Sequence, residues 1–239
     1  MRHNLLISGG WAHDFGHTAP MLANIIDTGG VEEIQTTVTT ELSETEERLR
    51  ERQWDLISVY ACWFRMLDSR YNESQRERWS RSCSQSLRDL LAGYRLRGTP
   101  LFALHTAPIC FDDWPAWGTW MGGTWEWGQS FHPSPAVLTM RTTTVHPIVK
   151  GLGSFRIRDE RYSRLSVAPA SVVHLVSEAD DRTSSDEPAL WTNSAGLGRV
   201  VYDALGHDTE SLSNDQHQTL IRRSIAWLCG KSDAEVGSI

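Results

Sequence analysis

The sequence has 239 residues, of which 40% are hydrophobic and 22% charged, and its formal net charge is −7. This is ordinary globular composition, and we expect a single domain over residues 1–239. The acidic charge offers no basic surface for nucleic acid, and no apolar run approaches the ~18 residues of a membrane span, so neither is an expected partner. The unusual feature is tryptophan: the chain has 11, and five lie between Trp114 and Trp127.

The N-terminus and the cysteines together predict a cytoplasmic location. The apolar stretch near the start is only Leu5 to Ile7, which is too short for the core of a signal peptide. The cysteines are widely spaced and form no CxxC pair, which favours reduced, buried thiols over disulfides or a zinc site. They are Cys62, Cys83, Cys110 and Cys229.

The first half of the chain alternates predicted strands and helices. Strands are predicted at residues 3–8, 33–38, 54–60 and 100–104. Helices are predicted at residues 20–27, from a capping box at Ser43–Glu46 to Arg52, and at residues 72–92. This order predicts an α/β fold whose mainly parallel sheet is covered by helices on both faces.

The second half predicts additional β-structure and a closing helix. Short strands are predicted at residues 136–142, 155–157, 171–177, 188–192 and 199–205, with a hairpin connection at 193–198. The closing helix is predicted at residues 214–229.

Ligands of open parallel sheets bind beyond the carboxyl ends of the strands, and three predicted ends carry candidate residues. These ends are Gly9 to Asp14, Ala61 to Trp63 and His105 to Ala107. The sequence has neither GxGxxG nor a P-loop lysine after these glycines, which disfavours a nicotinamide or ATP site.

Histidines at two of these ends have alternative interpretations. His13 and His17 are spaced as in the HExxH zinc motif, but Gly16 and the preceding turn favour a polar loop that lines a pocket. His105 is either a general base or a core histidine bonded to backbone. Cys62 and Cys110 lack the setting of a strained nucleophile elbow and are expected to be structural.

Further acid/base candidates follow predicted strands of the second half. Asp159-Glu160 with Tyr162, and His207-Asp208, are suited to acid/base catalysis on a polyol, but they are also common in solvated turns. Because neighbouring residues of a strand point to opposite faces, Asp159 and Glu160 are not expected to act as a pair.

The ordered set of these segments resembles the ThuA family of trehalose-utilisation proteins over about residues 5–229. The segments are Gly9-Gly10, His13-Asp14, His105-Thr106-Ala107, Gly122-Gly123, Phe131-His132-Pro133, His146-Pro147-Ile148, Asp159-Glu160 with Tyr162, and Leu205-Gly206-His207-Asp208. The resemblance implies a flavodoxin-like fold of the class I glutamine amidotransferase-like type. It also implies that His105 stands where amidotransferases have their nucleophilic cysteine, so glutaminase activity is not expected.

The resemblance implies a role in the catabolism of disaccharides or keto-sugars, and we expect a small-molecule carbohydrate as the partner. The expected protein is a sugar-modifying enzyme of hydrolase or isomerase type, with His105, His207 and His13 as catalytic residues. Expected substrate-binding residues are Trp11, Asp14, Trp125, Trp127, His132, Asp159, Glu160, Tyr162 and Asp208. A non-catalytic carbohydrate-binding or regulatory protein is the alternative. No cofactor is expected, although a divalent metal and a homo-oligomer stay open.

The tryptophan cluster separates into two groups by spacing. Trp114, Trp117 and Trp120 recur every third residue, which on a helix favours core packing. Trp125 and Trp127 would share one side of an extended segment, with Glu126 on the other. We expect this pair, together with Trp11, at the mouth of the site.

Overall fold

The computed structural model describes residues 1–29, 33–181, 184–194 and 197–239. Its first half alternates strands and helices. The elements are β1 (Arg2–Gly10), α1 (Phe15–Asp27), β2 (Ile34–Thr39), α2 (Leu42–Glu51), β3 (Leu56–Cys62), α3 (Glu73–Trp79), α4 (Gln85–Leu96) and β4 (Leu101–Leu104).

The second half is richer in strands, as the sequence predicts. Its elements are α5 (Pro115–Met121), β5 (Gly123–Thr124), β6 (Ala136–Thr142), a 3-10 turn (Pro147–Val149), β7 (Ser154–Asp159), β8 (Ser166–Val167), β9 (Ser171–Ser177), β10 (Glu187–Asn193), β11 (Val200–Asp203), α6 (Thr209–Leu212), α7 (Asp215–Leu228) and α8 (Asp233–Val236).

A nine-stranded sheet in the order β2-β1-β3-β4-β11-β10-β9-β6-β7 organises the molecule. Strands β2, β1, β3, β4 and β11 are parallel, and the remaining neighbours pair antiparallel. β3, β4 and β11 are buried along their whole length, as strands covered on both faces are. Helix α1 packs against α7, and α2 packs against α4. The predicted α/β class with added C-terminal strands is confirmed.

The helix predicted at residues 72–92 is wrong, because this segment forms two helices with a break between them. Asn72 caps α3 in a capping box with Gln75. Ser80 then turns to extended backbone, and its hydroxyl donates to the Arg65 carbonyl at 2.8 Å. Ser84 Oγ accepts the Leu87 N–H at 3.0 Å and begins α4. The apolar spacing spans the break, so periodicity alone could not reveal it.

Two further local predictions concern the start of α2 and the connection between β10 and β11. The capping box predicted at Ser43–Glu46 is wrong: α2 begins at Leu42 after Glu41, which makes no side-chain cap. The Glu46 carboxylate instead accepts hydrogen bonds from Arg50 and Ser84. The predicted connection at residues 193–198 includes residues 195 and 196, which lie outside the described residues, although β10 and β11 do pair antiparallel.

The cysteines agree with their prediction, since all four are buried and none forms a disulfide. Within the described ranges, none of the helices has the length and apolar character needed to cross a membrane.

Candidate functional site

Glycines at the end of β1 bring this strand very close to β3. Gly9 and Gly10 have φ of +89° and +108°, values that side-chain-bearing residues rarely adopt. A Cβ on Gly10 would lie 2.3 Å from the Cys62 carbonyl oxygen, so no larger residue fits. The chain then turns through Trp11 and places His13 just before α1.

His105 directly follows β4 and has an unusual backbone conformation with φ of +48°. Hydrogen bonds hold it there: its N–H donates to the Asp203 carbonyl at 2.7 Å, and its own carbonyl accepts the Tyr202 hydroxyl at 2.9 Å. Its Nδ1 lies 2.7 Å from the Ala204 carbonyl oxygen and therefore donates to it. The imidazole is thus fixed, fully buried, with Nε2 pointing into the site.

Asp159, the last residue of β7, fixes the loop after β11. Its carboxylate accepts the N–H of Gly206 at 2.8 Å and of His207 at 3.3 Å, and the hydroxyl of Ser211. In a flat sheet, β7 would lie about 19 Å from β11, four strand spacings away. Strands β10, β9, β6 and β7 form the antiparallel half of the sheet. The contact with Gly206 shows that this antiparallel half bends back over the carboxyl ends of the parallel strands.

This bend brings Glu160 among four histidines. Its Oε2 lies 3.4 Å from His105 Nε2, 3.4 Å from His207 Nδ1 and 3.9 Å from His13 Nε2. Its Oε1 lies 3.2 Å from His132 Nδ1. The His13 and His105 Nε2 atoms are 3.1 Å apart. Asp159 and Glu160 thus direct their carboxylates to different places, as strand alternation predicts.

The electrostatics favour an ionised carboxylate among imidazoles. Burial opposes ionisation of Glu160, but the facing imidazoles of His105, His132 and His207 outweigh it and lower its pKa far below the usual range. Burial, and then repulsion from His105, lowers the pKa of His13 to about 3. Burial opposes protonation of His132 and His207, yet the contact with Glu160 raises the pKa of both.

A pocket with a cavity volume of about 130 Å³ lies above this cluster. Its aromatic walls are Trp11, Phe64, Tyr71, Trp125 and Trp127. Tyr71 packs edge-on against Trp11 at 6.1 Å, and Phe64 packs against Trp127 at 5.3 Å between ring centroids. The Trp127 side chain stands at the rim, with 39% of its surface exposed.

Most of the residues predicted for the site meet in or directly beneath this pocket. They are Trp11, His13, His105, Trp125, Trp127, His132, Glu160, Tyr162 and His207. Tyr162 is buried, and its hydroxyl lies 3.4 Å from His105 Nε2. Burial, followed by the charge of Glu160, raises its pKa well above the usual range, so this hydroxyl keeps its proton.

The structure does not bring Asp14, Asp159 or Asp208 to the pocket, so their predicted contact with substrate finds no support. Asp14 is exposed and pairs with His17 at 2.8 Å. The Asp159 carboxylate accepts hydrogen bonds from the N–H groups of Gly206 and His207 and from the Ser211 hydroxyl. Asp208 caps α6 and pairs with Arg158. His17 also points away, so it shares no face with His13.

Sequence reasoning missed the part of the wall that follows β3. Phe64, Arg70 and Tyr71 line the pocket. They belong to no motif, but they lie in the loop beyond a strand end, where the rule for parallel sheets could have found them. Cys62 also lines the pocket; burial raises its thiol pKa well above the usual range, which agrees with a structural role.

Trp117 and Trp120 are buried on α5, as their spacing predicts. Trp114 precedes the helix and stacks on Trp117 with the ring centroids 6.5 Å apart. Trp117 and Trp120 thus pack in the core, whereas Trp125 and Trp127 line the pocket; Trp114 and Trp117 also line a second cavity, which Trp125 and Trp127 share.

The sequence profile of the ThuA family, described as trehalose utilisation, matches residues 5–228. The chain belongs to the ThuA family. Among curated proteins, none matches this chain.

Solved structures share the fold of this ThuA-family chain at low identity. A ThuA-like protein from Parabacteroides merdae has a TM-score of 0.73 and 18% identity, with 96% of this chain and 90% of that chain covered. The cytoplasmic protein STM1381 from Salmonella typhimurium has a TM-score of 0.64 and 12% identity, covering 95% and 99%. The carbohydrate deacetylase Agd3 has a TM-score of 0.61 and 12% identity, covering 96% of this chain but 32% of Agd3.

Proposed function

We propose that this ThuA-family chain is a sugar-modifying enzyme, of hydrolase or isomerase type, that acts on a carbohydrate or keto-sugar derivative. The observation that carries the proposal is the Glu160 carboxylate, which lies among imidazoles at the floor of an aromatic-walled pocket. The family description of trehalose utilisation supports a sugar-related role. We also propose a cytoplasmic location, which the sequence predicts.

The pocket walls suit a sugar ring. Flat indole and phenol rings offer apolar faces to the C–H faces of a pyranose, while a few polar groups at the floor fix its orientation. Trp11 and Trp125 supply such faces, and Glu160 with His132 supplies the polar end. Trp125 and Trp127 also line a second cavity of about 370 Å³, which offers room for the remainder of a larger substrate.

The chemistry proposed at the floor is proton transfer by imidazole groups. A histidine near a carboxylate is a common general acid or base. His132 is the most accessible member of the cluster, with 38% of its side chain exposed, and it lies 3.2 Å from Glu160. His13, His105 and His207 complete the reaction centre below it.

Two other chemistries are disfavoured by the residues that line the pocket. Glycosidases ordinarily use two carboxylates about 5–9.5 Å apart, and among the described lining residues Glu160 is the only carboxylate. A glutaminase needs a thiolate at the strand end, where this chain has His105. The Cys62 thiol nearby is kept protonated by burial.

A substrate screen with matched variants tests the proposal. Purified protein would be assayed with trehalose, other disaccharides and their 3-keto forms, by product chromatography and by calorimetry. We expect Glu160→Gln to lower kcat at least ~100-fold, since it removes the charge around which the imidazoles are arranged. Asp14→Asn is the control, because this carboxylate is near His13 in sequence but pairs with His17 outside the pocket.

The outcomes separate the two candidate functions. Turnover that Glu160→Gln abolishes and Asp14→Asn preserves would support the enzyme. Sugar binding by the wild type without turnover would overturn it in favour of a non-catalytic carbohydrate-binding protein, for which the aromatic walls alone would suffice. Neither binding nor turnover with any sugar would contradict both.

A further inference from the structure

We infer that His13, His105, His207 and Glu160 bind one divalent transition-metal ion, of the zinc class, at the floor of the pocket. The inference deepens the proposed function by giving its reaction centre a metal ion. It rests on side-chain geometry alone and does not depend on which sugar enters the pocket.

Hydrogen bonds to carbonyl oxygens fix the orientation of two imidazoles in the cluster. His13 Nδ1 lies 3.3 Å from the Trp11 carbonyl oxygen, and His105 Nδ1 lies 2.7 Å from the Ala204 carbonyl oxygen. A carbonyl oxygen only accepts, so each Nδ1 carries a hydrogen, and the deprotonated form of each ring, which is the form that binds metal ions, has its lone pair at Nε2. The two Nε2 atoms lie 3.1 Å apart. A metal ion bound beside both nitrogens would accept the two lone pairs together.

Two buried polar atoms of the cluster lack hydrogen bonds within the described residues. Glu160 Oε2 and His207 Nδ1 are both buried, and neither finds a hydrogen-bond partner in the described part of the chain. Glu160 Oε2 lies 3.4 Å from both His105 Nε2 and His207 Nδ1, so these three donor atoms converge on the same space. Burying such groups unsatisfied is unfavourable, and more so for a charged group. A metal ion would satisfy all of these atoms together.

The spacing of the four donor atoms fits a tetrahedral ion. All of them lie within 4.8 Å of one another. Zinc–nitrogen and zinc–oxygen bonds of about 2.0–2.2 Å place tetrahedral ligands roughly 3.4 Å apart. The pairs described here lie at 3.1, 3.4, 3.4 and 3.9 Å, so small side-chain shifts would close the set.

The donor types select the class of ion. Three imidazole nitrogens with one carboxylate oxygen suit zinc or a similar first-row ion, whereas magnesium and calcium prefer oxygen ligands throughout. The carbonyls of Trp11 and Ala204 act as outer partners that fix the orientation of two ligands, as is common around metal-bound histidine. With a fifth ligand, which zinc accepts in some catalytic sites, the ion would polarise a substrate oxygen. His132, which contacts the other oxygen of Glu160, would stay available for proton transfer.

Direct metal binding tests the inference without any sugar. Wild-type protein would be stripped with a chelator and dialysed, then titrated with zinc chloride by calorimetry, and bound metal would be counted by mass spectrometry. We expect one ion per chain, an increase in Tm on zinc addition, and at least ~100-fold weaker binding by His105→Asn and by His207→Gln. Asn is chosen at position 105 because it tolerates positive φ better than most residues.

Two control variants guard against non-specific histidine binding. His146→Gln alters an imidazole that stacks on His174 at 4.2 Å between centroids, outside the cluster, and it should bind zinc as the wild type does. His132→Gln should keep zinc binding but lower turnover. A stripped wild type that takes up no zinc, or ligand variants that bind it undiminished, would overturn the metal site. Stoichiometric zinc in a protein that turns over no sugar would support the site and contradict the proposed function instead.

Discussion

Gly10, the last residue of β1, and His105, the residue directly after β4, both have positive φ. Gly10 lets β1 approach the β3 backbone, so the loop that follows can carry His13 over the strand ends. His105 adopts a conformation that is unfavourable for a side-chain-bearing residue, and three hydrogen bonds hold it there. Backbone geometry at these two residues determines where the two facing imidazoles meet.

The close approach at Gly10 predicts a large loss of stability on Gly10→Ala. The added Cβ would lie 2.3 Å from the Cys62 carbonyl oxygen, so the strands must separate in addition to accepting the unfavourable φ. Gly128→Ala is the matched control, since Gly128 has φ of +84° with nothing within 4 Å of the added Cβ. We expect about 1 kcal/mol from conformation at Gly128 and at least ~3 kcal/mol at Gly10, from urea unfolding. Equal losses at both glycines would contradict the steric argument.

At the scale of elements, sequence patterns predicted strands better than helix ends. The bounds of β6 and β9 agree with the prediction, because their β-branched and apolar residues stop at clear turn signals. The break between α3 and α4 was missed, because Trp79, Cys83 and Leu87 keep a helical spacing across it. Hydrogen bonds of the Ser80 and Ser84 side chains stabilise that break. Serine is ambiguous in a sequence, because it occurs in helix caps, in turns and on exposed helix faces.

The cap at Ser84 predicts a measurable contribution to stability. Ser84 Oγ accepts the Leu87 N–H at 3.0 Å, and its hydroxyl also donates to Glu46 on α2. We expect Ser84→Ala to lower the free energy of unfolding by about 1 kcal/mol, through loss of a helix cap. Ser82→Ala, at an exposed position in the same segment, should change it by less than ~0.5 kcal/mol. A smaller loss for Ser84→Ala than for Ser82→Ala in chemical denaturation would contradict the assignment of the cap.

At the scale of the whole molecule, the sequence identified most residues of the site but did not distinguish their roles. Resemblance placed Asp159 and Glu160 together, and strand alternation predicted that they diverge. Only the bend of the antiparallel half shows that Asp159 binds the loop after β11 while Glu160 reaches the histidines. Phe64 and Tyr71 follow the end of β3, where ligands of parallel sheets bind, but no local pattern distinguishes them from the rest of that loop, because long-range packing decides which of its side chains reach the pocket.

The antiparallel half contains a buried histidine that predicts how the stability of the whole molecule depends on pH. His174 on β9 contacts the hydroxyls of Thr144 and Thr192 at 2.8 Å each and stacks on His146. Burial, and then repulsion from His146, lowers its pKa from 6.5 to about 4. Below pH 6.5 the imidazole therefore binds a proton in the unfolded chain but stays neutral in the folded chain. The free energy of unfolding consequently falls as the pH falls from 6.5 towards 4.

We expect the wild type to lose stability between pH 6.5 and about 4 more steeply than His174→Gln, which has no imidazole to protonate at this position. The measurement is the free energy of unfolding in urea at several pH values, with the difference between wild type and variant taken at each pH. His17→Gln is the control, because the side chain of His17 is 80% exposed and should leave the slope as in the wild type. Because other acidic and histidine groups titrate in both proteins, only the difference reports on His174. A difference that stays constant from pH 6.5 to 4 would show that the buried imidazole is protonated as readily in the folded chain as in the unfolded one.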